Sequence, residues 1–152
     1  MEEKVGIAGH EIAHSAPRAA PSAIVSKPAI MAPKLRAADL DREIKFCTDG
    51  LGMSVLRRVK YDGFFEEVAL DFDQGSMQPS LVLFKPKDGA PTLTHGDAYV
   101  ETLVKVPDLE AAAAKLRTAG YVPDGIRQAE PYAMFHVKDP EGFTWKIFGP
   151  PQ

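Results

Sequence analysis

The chain has 152 residues, of which 45% are hydrophobic, 26% charged and 9% aromatic, a profile typical of a globular domain rather than a fibrous or membrane chain. Its net charge of -3 argues against a nucleic-acid partner, and no stretch approaches the roughly 18 apolar residues of a membrane-spanning helix. Cys47 is the sole cysteine, which excludes an intrachain disulfide. We therefore expect a cytoplasmic protein stabilised by an ordinary packed core.

Residues 1–31 are predicted to form a flexible N-terminal arm, because they are rich in Ala, Pro and Ser and lack a sustained apolar period. The arm contains His10-Glu11-Ile12-Ala13-His14, a match to the His-Glu-x-x-His zinc motif. That motif requires a rigid helix in a cleft and a third ligand, whereas this copy meets Pro17 three residues later. Adventitious zinc binding is a better interpretation than a zinc-peptidase site.

The first half of the folded part begins with a strand that leads to Asp39, which is suited to cap a helix. This helix is expected to end at Gly50 or Gly52 and to carry an apolar stripe of Leu40, Ile44, Cys47 and Leu51. Three strands are predicted after it, over residues 54–61, 64–72 and 80–85.

The second half repeats this plan. A strand over 99–106 leads to Asp108 as a helix cap, and Gly120 is expected to end the helix. Its apolar stripe consists of Leu109, Ala112, Ala113 and Leu116. The strands predicted after it cover residues 122–127, 133–138 and 143–148.

The predicted fold is therefore α+β, a single domain over 32–150 made of two βαβββ modules at about 32–88 and 96–150. Each sheet is expected to bury one face under its helix and to leave a concave face free, so that the two modules enclose a cleft.

Two stretches resemble the signature sequences of the vicinal oxygen chelate superfamily, which includes glyoxalases, bleomycin-resistance proteins and extradiol dioxygenases. The first is Leu35-Arg36-Ala37-Ala38-Asp39-Leu40-Asp41-Arg42 with Phe46 and Leu51-Gly52-Met53, and the second is Lys138-Asp139-Pro140-Glu141-Gly142-Phe143. The resemblance covers residues 30–149 and implies the two-module fold. It also implies a homodimer, because the resembling proteins commonly pair.

The superfamily's metal enzymes take one ligand from the first and one from the last strand of each module. By this resemblance the four ligand positions fall on Ala32, Val82, Glu101 and Lys146. Ala32 and Val82 carry no side-chain atom that can bind a metal, and the ammonium group of Lys146 repels a divalent ion. We therefore expect neither a metal nor another cofactor in the cleft.

Strand alternation places Glu101 and Leu103 on the cleft side and Val104 under the helix. In the last strand it directs Lys146 into the cleft, while His136 is assigned to the helix-facing side from an even-residue hairpin that pairs it with Trp145. The candidate catalytic pair is Glu101 and Lys146. The candidate ligand-binding residues are Lys34, Arg36, Val82, Phe84, Tyr99 and Leu103.

Three functions remain open from the sequence. The first is non-catalytic binding of a small organic molecule, with Glu101 and Lys146 as an ion pair that replaces a lost metal. The second is a metal-independent isomerase or lyase in which Glu101 removes a proton next to a carbonyl, with Lys146 or Tyr99 as electrophilic partner. The third is a metal-dependent lactoylglutathione lyase of the glyoxalase I type.

By the same resemblance, Arg36 occupies the position whose Arg contacts a glutathione carboxylate in glyoxalase I. An anionic substrate is therefore compatible with the sequence. The Asn that follows the fourth-strand Glu in glutathione-using enzymes is Pro86 here, and this argues against glutathione.

Overall fold

The computed structural model describes residues 28 and 30–151, so the predicted arm and its His10–His14 motif lie largely outside the described residues. From Met31 onward the described chain forms one compact unit. Within this part no helix is long and apolar enough to cross a membrane.

The first module is a four-stranded sheet in the order β1-β4-β3-β2. Its elements are β1 (Lys34–Arg36), α1 (Leu40–Lys45), a π-helix (Phe46–Leu51), β2 (Ser54–Tyr61), β3 (Phe65–Asp71) and β4 (Leu81–Pro86). Strand β1 runs parallel to β4, and the other pairs are antiparallel.

The second module repeats this arrangement with the order β5-β8-β7-β6. Its elements are β5 (Thr102–Lys105), α2 (Leu109–Thr118), β6 (Arg127–Ala129), β7 (Tyr132–Lys138) and β8 (Thr144–Gly149). Strand β5 is parallel to β8, so both modules have the predicted βαβββ order, and the α+β fold class is confirmed.

The predicted helix signals are confirmed at both ends of each helical segment. The side chains of Asp39 and Asp108 accept hydrogen bonds from the backbone N–H groups three residues later, at 3.1 and 2.9 Å. Gly52 and Gly120 adopt left-handed φ values of 84° and 92° beyond the helix ends. Local capping chemistry therefore fixes where each helical segment begins and ends.

The helices join the two modules. The π-helix turns two successive side chains, Phe46 and Cys47, into the core. The Phe46 ring lies 4.9 Å from the ring of Tyr121 and 5.6 Å from that of Trp145, both in the second module. A side chain at Gly50 would place its Cβ 2.9 Å from Leu116 Cδ2, so a small residue lets the π-helix approach α2 closely.

Strand β6 is shorter than predicted and lies further along the chain. Pro123 has no N–H to donate to a sheet, and Val122 is exposed. Instead of pairing in a strand, Asp124 makes two hydrogen bonds to the backbone of His136. Its N–H donates to the His136 carbonyl at 2.8 Å, and its carboxylate accepts from the His136 N–H at 2.5 Å. The sheet pairing therefore begins only at Arg127.

The predicted placement of His136 on the helix-facing side is wrong. The turn between β7 and β8 leaves five residues unpaired rather than four, because Lys138 pairs with Thr144. The side chain of Asp139 holds this turn by accepting bonds from the N–H of Phe143 at 2.8 Å and from the indole of Trp145 at 2.9 Å. His136 consequently pairs with Lys146 and shares its face of the sheet.

Helix α1 buries an acidic side chain that the sequence did not single out. Glu43 is 1% exposed, and neither of its carboxyl oxygens has a hydrogen-bond donor. Burial, reinforced by the charge of Asp139, raises the pKa of Glu43 to about 9. Burial likewise raises the pKa of the nearby Cys47 thiol, which stays neutral.

Candidate functional site

The concave face of the second sheet carries a cluster of ionisable side chains around Glu101. Lys146 on β8 places its Nζ 2.5 Å from Glu101 Oε1. His136 on β7 places its Nε2 3.3 Å from the other oxygen, Oε2. The carboxylate therefore has a separate partner at each oxygen, and both partners come from neighbouring strands of one sheet.

Two further residues fix the protonation pattern of His136. Arg127 Nη2 lies 2.8 Å from His136 Nδ1 and 3.0 Å from an Asp124 carboxylate oxygen. Because a guanidinium only donates, Nδ1 must accept, and the proton of the neutral ring is then on Nε2. Nε2 lies on the side of Glu101, 3.3 Å from its Oε2.

A small cavity opens beside this cluster. It has a volume of about 240 Å³ and is lined by Leu103, Ala129, Tyr132, Met134, Lys146 and Phe148. Leu103 is 59% exposed although it is a large apolar residue. The surface thus combines apolar walls with one ammonium group, as small-molecule sites commonly do.

The concave face of the first sheet forms a separate depression of about 510 Å³. Ala32, Lys34 and Val82 line it together with Glu67, which the sequence analysis did not select. Lys34 forms an ion pair with Glu67, and its Nζ lies 5.6 Å from the centroid of the Phe84 ring. Three of the predicted ligand-binding residues of this module, Lys34, Val82 and Phe84, therefore lie near one another.

Arg36 and Tyr99 are held by contacts outside these two depressions. The Arg36 guanidinium donates to the Pro91 carbonyl in the segment that links the modules. The Tyr99 hydroxyl lies 2.6 Å from Thr102 Oγ1 and donates to the Thr144 carbonyl at 3.2 Å. Burial raises the pKa of Tyr99, so it is a neutral phenol at physiological pH.

The family resemblance assigns metal-ligand positions to Ala32, Val82, Glu101 and Lys146, and their side chains can be compared with the needs of a divalent metal. Ala32 and Val82 offer no donor atom, and the ammonium of Lys146 occupies one oxygen of Glu101. Among the residues that the structure describes, no group of three His, Cys, Asp or Glu side chains is arranged to hold a metal ion.

Strand alternation would have revealed His136 without any count of turn residues. On β7 the buried residues are Ala133, Phe135 and Val137. Because side chains alternate along a strand, His136 must face the other side of the sheet. Asp124 and Arg127 carry no comparable local signal, because their contacts with His136 depend on the path of the chain before β6.

The sequence profile of the Glyoxalase/Bleomycin resistance protein/Dioxygenase superfamily matches residues 28–147. The chain belongs to this superfamily. The predicted family is thereby confirmed over nearly the whole described part of the chain.

Relatives of known name share the fold and part of the sequence. A lactoylglutathione lyase of Haemophilus influenzae is 31% identical over 115 residues, which cover 72% of this chain and 83% of that protein. The trypanothione-dependent glyoxalase I of Leishmania major superposes with a TM-score of 0.66 at 27% identity, covering 81% of this chain and 87% of that one. An antibiotic-binding protein from Streptomyces sp. has the same fold, with a TM-score of 0.60 at 16% identity and coverage of 83% and 98%.

Proposed function

We propose that this superfamily protein binds a small organic molecule on its concave sheet surface and holds no catalytic metal there. The observation that carries the proposal is the ion pair between Lys146 Nζ and Glu101 Oε1, 2.5 Å long, at two of the family's ligand positions. An ammonium bound to the remaining carboxylate supplies the positive charge that a metal would otherwise supply. The adjoining apolar cavity gives an organic ligand a surface to bury.

The first test is metal analysis of the untagged full-length chain beside a His10→Ala/His14→Ala double variant. We expect no stoichiometric metal in the double variant, because the sheet surface lacks a donor set. Metal that is present in the natural chain and absent from the double variant is bound by the arm. Stoichiometric metal in both proteins would overturn the proposal.

A second candidate function is proton transfer without a metal. Glu101 is only 17% exposed and lies between two groups, Lys146 and His136, that can stabilise a developing negative charge. In this scheme Glu101 removes a proton next to a carbonyl, and Lys146 stabilises the resulting enolate oxygen. Glu101→Gln then abolishes turnover and largely spares affinity, whereas under pure binding it changes affinity alone.

A third candidate, metal-dependent lactoylglutathione lyase activity, draws support from the names of relatives at 27–31% identity. It requires metal donors that Ala32 and Val82 do not offer. We expect no lactoylglutathione lyase activity in the presence or absence of added zinc or nickel. Activity that depends on added metal would make this candidate the leading function.

We further propose that the protein is a cytoplasmic homodimer. The support is the exposed apolar surface on the second sheet, where Leu103 and Tyr132 remain accessible in one chain. A second copy that covers part of this face would complete the walls of the ligand site. Light scattering coupled to gel filtration should give twice the chain mass of 16.5 kDa, and a monomer would refute this assignment.

A further inference from the structure

We propose that the cavity beside β8 takes an apolar ligand that ends in a carboxylate, and that Lys146 moves from Glu101 to this carboxylate when the ligand binds. The inference rests on the proposed binding function and names the ligand class of the same site. It also assigns His136 as a positioning residue, which stays beside Glu101 while Lys146 moves to the ligand carboxylate.

The first argument is the charge of the cavity wall. Six residues line the cavity, and Lys146 is the only charged one among them. Leu103, Met134 and Phe148 offer apolar contacts for the body of a ligand. A ligand buried against these walls meets an ammonium group at one end, and a carboxylate complements that group best.

The second argument is that Glu101 does not depend on Lys146 alone. Its Oε1 faces Lys146 Nζ at 2.5 Å, and its Oε2 faces His136 Nε2 at 3.3 Å. Removing the partner of a largely buried charge is normally costly, because the charge is left uncompensated. Here His136 remains beside Oε2 when the lysine turns away, so Glu101 keeps one polar neighbour during the exchange of carboxylates.

The third argument is that the remaining partner is already held in position. The contact of 2.8 Å from Arg127 Nη2 makes His136 Nδ1 an acceptor, which leaves the proton on Nε2. Asp124 holds the backbone of His136 and also lies 3.0 Å from Arg127. Arg127 and Asp124 therefore hold the histidine with its Nε2 beside Glu101, 3.3 Å from Oε2.

Three probes with one carbon skeleton test the ligand class on the full-length protein: phenylbutyrate, phenylbutanol and phenylbutylamine. Isothermal titration calorimetry should show phenylbutyrate binding at least about tenfold more tightly than the alcohol, because it adds a charge-assisted hydrogen bond to Lys146. The amine should bind most weakly. Equal affinities, or tighter binding of the amine, would overturn this inference and leave the proposed binding function standing. Failure of all three probes would count against the cavity itself as a ligand site, and so against the proposed function.

Lys146→Met tests the role of the ammonium group. The substitution should remove the preference for phenylbutyrate over phenylbutanol and leave the affinity for the alcohol within about twofold, since the apolar walls remain. The matched control Lys138→Met removes an exposed charge of the same module and should keep the preference. A preference retained in Lys146→Met, or lost equally in the control, would refute the assignment.

His136→Phe tests the positioning role and remains informative if Lys146→Met fails to fold. Phenylalanine keeps an aromatic ring at this position but removes the polar neighbour of Glu101 Oε2. Glu101 then depends on Lys146 alone and releases it less readily. The ratio of phenylbutyrate to phenylbutanol affinity should therefore fall about tenfold. His136→Gln restores a donor and should recover part of this ratio. A purely structural histidine would change both affinities together and leave the ratio unaltered.

Discussion

Replacing the buried Glu43 by Gln should abolish a specific dependence of stability on pH. Glu43 is 1% exposed, and the charged groups that face it, Asp139 and Glu141, are both acidic. The Glu141 backbone N–H offsets only part of their effect on the Glu43 pKa. Asp139 accepts bonds from the Phe143 N–H and the Trp145 indole, so its negative charge is compensated. A proton on Glu43 lets the two carboxyl groups share a hydrogen bond, whereas ionisation would bury a second, uncompensated negative charge.

The magnitude follows from proton linkage. Burial raises the pKa of Glu43 from 4.5 to about 9, so the folded protein holds a proton that the unfolded chain has already released. Unfolding between these values releases one proton, and stability therefore falls as pH rises. The slope is about 1.4 kcal/mol per pH unit, or about 4 kcal/mol from pH 5 to pH 8. Below 4.5 both states are protonated and the slope disappears.

The assay is urea unfolding of the natural chain and of Glu43→Gln between pH 5 and pH 8. The amide has the size of the protonated acid and can donate to Asp139, but it does not titrate. The difference in unfolding free energy between the two proteins should grow in favour of the variant by about 1.4 kcal/mol per pH unit. Comparing the two proteins at each pH cancels the contribution of the titrating groups that do not interact with Glu43.

Glu110→Gln is the matched control, because it removes a carboxylate from the exposed side of α2. The unfolding free energy of Glu110→Gln should stay within about 0.5 kcal/mol of that of the natural chain between pH 5 and pH 8. Parallel pH profiles for the natural chain and Glu43→Gln would refute the reasoning. They would show that Glu43 titrates alike in the folded and unfolded states.

The remaining predictions concern the local contacts that fix the fold. Asp108→Ala should cost about 1 kcal/mol of unfolding free energy in urea, because the Ala111 N–H loses its side-chain acceptor. Trp145→Phe should cost about 1–3 kcal/mol by the same assay, because the buried Asp139 carboxylate loses a donor, and unchanged stability would refute this contribution. Gly52→Ala should lower the melting temperature through a loss of about 1 kcal/mol, since Gly52 has a left-handed φ of 84°; Gly75→Ala, at a glycine without positive φ, is the control.

Much of the fold was predictable because its signals are local. Asp39 and Asp108 cap their helices through backbone groups three residues away, and strand β2 follows the predicted residues 54–61. Strand alternation also placed Glu101 and Lys146 on one face, where the structure joins them in an ion pair.

The errors arose where a tertiary contact overrides a local pattern. The turn after β7 looks like an even-residue hairpin in the sequence, but Asp139 draws Phe143 into the turn by a hydrogen bond to its N–H. This one extra residue reverses the face assigned to His136. The early course of β6 was misjudged for a related reason, since Asp124 bonds to His136 rather than to a strand neighbour.

The sequence by itself determined the two βαβββ modules and their helix caps, because each depends on residue type and short-range spacing. Only the tertiary structure decided that His136 lies against Glu101, that Arg127 contacts His136, and that Glu43 is buried beside Asp139. These contacts depend on the packing of segments distant in sequence. Hydrogen-bond donors and burial then set the tautomer of His136 and the protonation of Glu43.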